Sequence, residues 1–330
     1  MNVRALLLTI LPAVLAACSP ANVGGPDAAG PSADKACGDS AYARCSRFQS
    51  CSPTALQLRY QDVPTCEANM KAACLAALAA PSTGQTASGI EQCVAQIPNW
   101  ACADYVFSQN PPPECNEVSG SLANGAACGY AGQCQSAFCA IVPEAQCGVC
   151  AGAPAAGDSC AALTSCGTGL ACDSTSSVCL PTAAHLASCA PSQKCAAGNE
   201  CVGSSSTTGA SGTCQTAVES AGSPCRSTAP CDFYAGLTCG SAGSCVPVEF
   251  ATGGQPCGYV GSVGQDVTCS GEQRCIVGDG GPQGTCTTAS GIGGACDLSV
   301  GPACIASTRC VATNGGTSGT CANPDANACH

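Results

Sequence analysis

The chain has 330 residues, with 35 Cys, 40 Gly and 22 Pro, and only 9% of its residues are charged. One Trp, six Tyr and five Phe cannot fill a conventional core for such a length, and so many thiols exclude a reducing cytosol unless they hold metal. A net charge of −11 excludes docking on nucleic acid or anionic lipid headgroups through basic patches; the acidity serves solubility.

Residues 1–17 read as a signal peptide. Arg4 supplies the positive start, and Ala5 to Ala17 is an apolar run interrupted by Pro12. That run falls short of the roughly 20 residues needed to span a bilayer and suits a signal-peptide core. It closes Leu15-Ala16-Ala17-Cys18, followed by Ser19. This resembles the lipobox of bacterial lipoproteins, which implies that Cys18 is lipidated and anchors the chain to a membrane. Ser19 rather than Asp implies, by the same resemblance, sorting to the outer membrane. Residues 18–36, rich in Pro, Gly, Ala, Ser and Asp, read as a flexible tether with a reach of about 25 Å.

Residues 37–116 carry an even eight cysteines: Cys37, Cys45, Cys51, Cys66, Cys74, Cys93, Cys102 and Cys115. Cys66, Met70, Cys74 and Leu78 recur every four residues and share a helical face. Thr65 is the expected N-cap and Pro81 the stop. Ser88-Gly89-Ile90-Glu91 has the pattern of a capping box for a second helix, with Ile90, Cys93, Val94 and Ile97 inward. Tyr42, Cys45 and Phe48 predict a helix nearer the start. Trp100 to Phe107 predicts a short one before Pro111-Pro112-Pro113 ends the unit. Four disulfides are expected to staple a core too small to hold itself.

Residues 117–330 repeat. Their cysteines fall into six sets of four: 128/134/139/147, 160/166/172/179, 189/195/201/214, 225/231/239/245, 257/269/275/286 and 296/304/310/321. Gly125, Gly157, Gly222, Gly254 and Gly293 stand three residues before the first cysteine of five sets; Leu186 takes that place in the third. Four sets close Gly-x-Cys, at Gly212, Gly243, Gly284 and Gly319. Glycine at fixed offsets marks backbone needing φ > 0 or close approach, and repetition at this period marks an array of similar units. Short hairpins such as Gly169 to Cys172 with Val178-Cys179 are the expected secondary structure. Four cysteines allow three pairings, and spacing does not choose among them.

The ladder Cys128, Cys134, Cys139, Cys147, Cys150, Cys160, Cys166, Cys172 and Cys179, with its internal Cys-x-x-Cys, resembles the Dickkopf N-terminal cysteine-rich domain. The resemblance covers 117–182 as repeats one and two; 183–330 holds repeats three to six. It departs from the family where Gly167 follows Cys166, since the family has adjacent cysteines there. It implies a disulfide scaffold in an extracellular setting. The whole layout is similar to Cys-rich lipoproteins of the myxobacterial type. The expected fold is therefore small and disulfide-rich: a helical eight-cysteine domain, then a tandem array of β-hairpin repeats.

Chemistry-bearing residues are sparse. Thr182-Ala183-Ala184-His185 and Gly278-Asp279-Gly280-Gly281-Pro282 resemble fragments of trypsin-like proteases, but the nucleophilic Ser is missing and the triad logic fails. His185 reads as an exposed linker residue; the other histidine is His330. Cys147-Gly148-Val149-Cys150 has redox or zinc spacing, yet lacks a βαβ context and a second thiol pair, and reads as structural disulfide. No cofactor or metal is expected. The reading is a non-catalytic, lipid-anchored envelope protein that displays loops to a protein or surface ligand, with Phe233-Tyr234 and Tyr259-Val260 as contact candidates. The alternative is a protease inhibitor built of disulfide modules. Without Cys18, 34 cysteines remain; the sets leave Cys150 and Cys329 over. These two pair with each other or displace a local partner; a Cys150–Cys329 bridge would bring the C-terminus back to the first repeat.

Overall fold

Ser32 opens the first helix: its side chain accepts a hydrogen bond from Lys35 N–H at 3.2 Å. In the computed structural model, five helices follow: α1 (Ala33–Cys51), α2 (Pro53–Tyr60), α3 (Val63–Ala79), α4 (Ala87–Gln96) and α5 (Cys102–Val106). The structure describes residues 30–142, 145–161, 166–167, 170–173, 176–190, 193–196, 198–205, 207–225, 230–278, 281–312 and 316–329. Helix α1 thus starts inside the stretch 18–36 expected as tether, because Ser32 caps it and Ala36 and Cys37 already turn inward.

The cysteine spacing sets the helix pairing. Cys37 bonds Cys74, and Cys45 bonds Cys66. Moving eight residues forward on α1 moves eight residues back on α3, so the two helices run antiparallel with bridges two turns apart. Cys51–Cys102 ties α1 to α5, and Cys93–Cys115 ties α4 to the turn Pro113–Cys115. Phe48, Tyr60, Trp100 and Tyr105 fill the core, with Phe48 and Tyr105 rings 4.8 Å apart and Trp100 edge-on to Tyr105 at 5.2 Å. The polar tips are satisfied: Trp100 Nε1 donates to Gln109 O and Tyr105 Oη to Arg44 O.

Two caps differ from expectation. Asp62, not Thr65, caps α3, accepting from Thr65 N–H at 2.8 Å. Thr86, not Ser88, caps α4, accepting from Gly89 N–H. In each case an earlier oxygen reaches the free N3 amide first. The helix expected from Tyr42, Cys45 and Phe48 is α1, in which Cys45 and Phe48 face inward and Tyr42 is exposed.

The six repeats share one backbone plan. The first and third cysteines pair, as do the second and fourth: Cys160–Cys172 with Cys166–Cys179, Cys189–Cys201 with Cys195–Cys214, Cys225–Cys239 with Cys231–Cys245, Cys257–Cys275 with Cys269–Cys286, and Cys296–Cys310 with Cys304–Cys321. In the first repeat Cys128 pairs with Cys139 and Cys134 with Cys150. Cys150, not Cys147, is therefore its fourth cysteine. Cys147 bonds Cys329. The C-terminus does return to the first repeat, but through Cys147, while Cys150 takes the local partner.

Backbone hydrogen bonds repeat with the cysteines. The residue three before each first cysteine has positive φ: Gly125, Gly157, Leu186, Gly222, Gly254 and Gly293. In every repeat its N–H donates to the carbonyl of the fourth cysteine, from Cys150 through Cys179, Cys214, Cys245 and Cys286 to Cys321. The residue after each second cysteine donates back to the incoming chain, as Gln135 N–H does to Leu122 O and Ile305 N–H to Ser290 O. Leu186 holds the glycine place at φ 62° with its side chain 67% exposed. A left-handed conformation costs a non-glycine residue about 1 kcal/mol or more, and glycine's looser unfolded chain returns part of that. Leu186→Gly is therefore expected to raise the unfolding free energy by about 0.5–1 kcal/mol. Guanidinium denaturation checks it; a lower midpoint would contradict the strain argument.

The closing glycine has a steric reason. A Cβ on Gly212, Gly284 or Gly319 would lie 2.4, 2.6 or 2.1 Å from a carbonyl oxygen of the neighbouring strand. Gly148 meets Ala140 O in the same way, at 2.4 Å. Gly148-Val149-Cys150 thus closes the first repeat as Gly-x-Cys closes the third to sixth, while the second closes Ser177-Val178-Cys179.

The array is not strung out behind the helices. Helix α2 is the platform, and the same place in three repeats docks on it: the residues just after the second cysteine. Ser52 Oγ, which caps α2, also donates to Tyr234 O at 2.6 Å. Gly271 and Glu272 N–H donate to Gln57 O and Leu58 O, and Ala306 N–H to Arg59 O. Ile305 enters the helical core at 7% exposure. The first repeat docks on the α3–α4 connection, where the buried Gln133 donates from Nε2 to Pro81 O while its Oε1 accepts from Gly129 and Tyr130 N–H. Arg309 of the sixth repeat donates to Ala145 O and Gly129 O of the first, and Tyr130 Oη donates to Pro324 O. Helices and repeats form one unit, Pro31–His330.

Candidate functional site

The structure pairs every cysteine from Cys37 to Cys329 in seventeen disulfides. Such pairing belongs to an oxidising compartment, outside the cell or within the envelope. Among the described residues no helix is long and apolar enough to cross a membrane. Cys18 lies outside the described residues.

Cys147 and Cys150 do not bond each other, so the Cys-x-x-Cys is not a redox pair. Three sulfurs approach within 4.8 Å in most repeats, for example Cys128, Cys134 and Cys150. Each is already bonded to another sulfur, so none offers the thiolate a metal needs. These sulfurs are instead the cores of the repeats, where two disulfides stack in place of a hydrophobic cluster.

The contact candidates separate. Phe233-Tyr234 is not free for a partner: Tyr234 packs against the helical core, its ring edge-on to Phe107 at 4.7 Å and to Phe233 at 5.8 Å. Val260 is buried in the five-stranded sheet of the fifth repeat, and only Tyr259 beside it is exposed. His185 is exposed, its Nδ1 2.7 Å from Asn199 Oδ1. Gly278 directly follows the strand Cys275–Val277, and Gly281 and Pro282 are described beyond it, whereas Asp279, Gly280, Gly169 and His330 lie outside the described residues.

Asp297 accepts six hydrogen bonds. It accepts from Ser299 N–H and Oγ, Val300 N–H, Gly301 N–H, Thr317 Oγ1 and Ser318 Oγ. The Ser299 side-chain and backbone donors, then the Val300 N–H, hold its carboxyl far below the usual carboxylate range. All these donors come from its own repeat, so the group locks a loop and its lone pairs are taken. A carboxyl depressed in the folded state stabilises above its unfolded pKa of about 4 and loses that contribution as acid protonates it. Asp297→Asn is accordingly expected to lower stability at neutral pH. The gap to the native chain should narrow as pH falls below about 4. Thermal unfolding of both chains across that range tests it, and a gap that widens in acid would contradict the assignment.

One cleft joins three parts of the molecule and has a volume of about 550 Å³, within the range of small-ligand sites. Helix α3 lines it with Met70, Ala73 and Ala77, α4 with Ile90, and α1 with Ser40 and Arg44. The segment Glu114–Val118 forms one wall; Tyr130 of the first repeat and Ser307 of the sixth meet it. Arg44 of α1 is half-buried there, and among the described residues its guanidinium donates only to Cys93 Sγ, at 3.7 Å. Glu117 stands at the rim. The protein around it pushes its carboxyl above the usual range, and Arg44 and Gln85 oppose that shift. No ion pair closes between Arg44 and Glu117 among the described residues. The sequence carried no sign of this cleft, because its walls come from stretches some 260 residues apart (Ser40 to Ser307).

No family model, curated protein or solved structure matches the chain.

Proposed function

We propose that the chain is a lipid-anchored protein of the bacterial cell envelope, held at the outer membrane through Cys18, which binds another protein or a surface ligand without catalysis. The observation that carries this reading is the cysteine arithmetic: 35 residues in the sequence, with all 34 from Cys37 onward in disulfides. The lipobox Leu15-Ala16-Ala17-Cys18 gives the remaining one a purpose. The Dickkopf-like cysteine ladder of residues 128–179 supports the same extracellular setting. A scaffold tied by a bridge in every repeat orders its surface before binding, which lowers the ordering cost of association.

Metabolic labelling with palmitate, followed by membrane fractionation, tests the anchor. The native chain is expected in the membrane fraction with label, and Cys18→Ser in the soluble fraction without it. Label retained by the Cys18→Ser chain would overturn the anchor. Cross-linking on intact cells then tests the partner, with a protease panel run beside it. Inhibition of one protease at stoichiometric ratio, with no cross-linked envelope protein, would replace the binding reading by the inhibitor one.

A further inference from the structure

The cleft between the helices and the first and sixth repeats presents both signs of charge over an apolar floor. Met70, Ala73, Ala77 and Ile90 supply that floor, and Val118 adds to one wall. A half-buried guanidinium wants oxygen acceptors, since leaving its donors unmet costs more than a surface charge does. Arg44 has only a sulfur contact at 3.7 Å, and no carboxylate lies within 4.0 Å of it among the described residues. Glu117 and Glu114 line the same cleft with the opposite sign. Both signs of charge thus line one cleft, and no ion pair closes between them among the described residues.

We propose that this cleft binds a small zwitterion with an apolar body, an apolar amino acid or dipeptide, whose carboxylate meets Arg44 and whose ammonium meets Glu117. A simple fatty carboxylate fits less well, since it would face two glutamates with no cation of its own. An amine without a carboxylate would leave Arg44 unanswered. The volume of about 550 Å³ accommodates either an amino acid or a dipeptide. Arg44 is suited to the task because its planar fork bonds a carboxylate with two parallel donors. The site does not depend on the membrane anchor or on a protein partner.

Titration calorimetry on the full chain tests it, with L-leucine and leucyl-leucine as probes. Leucinamide, which lacks the carboxylate, and 4-methylpentanoate, which lacks the ammonium, serve as controls. At least one zwitterion is expected to bind saturably, with each control weaker by about tenfold or more. Arg44→Gln should bring the zwitterion down to the level of leucinamide, and Glu117→Gln to that of 4-methylpentanoate. A circular dichroism spectrum and a thermal midpoint matching the native chain confirm that each variant has folded. Where a variant fails that check, the ligand series on the native chain decides alone. No saturable heat from either zwitterion at millimolar concentration would overturn the proposal. So would a control that binds as tightly as the zwitterion.

Discussion

Replacing Cys147 and Cys329 together by serine is expected to lower the unfolding free energy by about 3–5 kcal/mol. Their bridge spans 182 residues in sequence, the longest in the molecule. Chain entropy alone makes long loops the most valuable to close, although the disulfides inside this loop shorten its free path and hold the figure to that range. The double change matters, because one serine alone leaves a thiol free to attack Cys134–Cys150 beside it. Among the described residues, the segment after Cys321 is otherwise held by Tyr130 Oη donating to Pro324 O and by the buried Ala326 against Gly129. Without the bridge these are expected to open first, so protease should trim the segment after Cys321 while leaving the repeats intact. Guanidinium unfolding gives the energy, and limited proteolysis with mass spectrometry locates the cut. An unchanged midpoint and uncut C-terminus would show that these contacts hold the ring closed by themselves.

Much of this was legible in the residues, and the failures have physical causes. Cys66, Met70 and Cys74 pointed to one helical face, and the structure puts Cys66 and Cys74 on bridges to α1 from that face. The caps shifted by two or three residues because Asp62, Thr65, Thr86 and Ser88 are all good caps, and only the oxygen that reaches a free amide takes the role. Glycine positions were legible because a missing Cβ is a local requirement; the left-handed backbone at Gly125 and Gly293 needs no tertiary knowledge. Even Leu186 follows the plan that its neighbours reveal. Counting cysteines in order gives Cys147 as the fourth of the first repeat, whereas Cys150 takes that place. Gly148, two residues before Cys150, was the available sign. Docking was not legible. Phe233 and Tyr234 look like an exposed pair in a polar loop, and nothing local says that Ser52, some 180 residues earlier, will receive them.

Ile305→Ala is expected to cost about 2–5 kcal/mol and to be felt in both halves of the molecule. Ile305 follows the second cysteine of the sixth repeat and is 7% exposed within the cluster that holds Phe48, Tyr60 and Trp100. Its backbone N–H bonds Ser290 O inside its own repeat, while the next residue, Ala306, bonds Arg59 O on α2. The side chain therefore serves the helical core and the backbone serves the repeat. Truncation to Ala leaves a cavity in a cluster too cross-linked to collapse into it, which places the cost in the upper part of the range. Because α2 also carries the fourth and fifth repeats through Ser52, Gln57 and Leu58, loosening it is expected to loosen them. Tryptophan fluorescence from Trp100 and hydrogen exchange at Gly271 and Glu272 should then report the same loss of stability. If exchange at those two amides stays unchanged while the Trp100 transition shifts, the repeats stand on their own disulfides and α2 is only a place where they rest. Equal shifts make the helices and the repeats one cooperative structure, in which disulfides fix each repeat and a few apolar side chains such as Ile305 join the repeats to the helices.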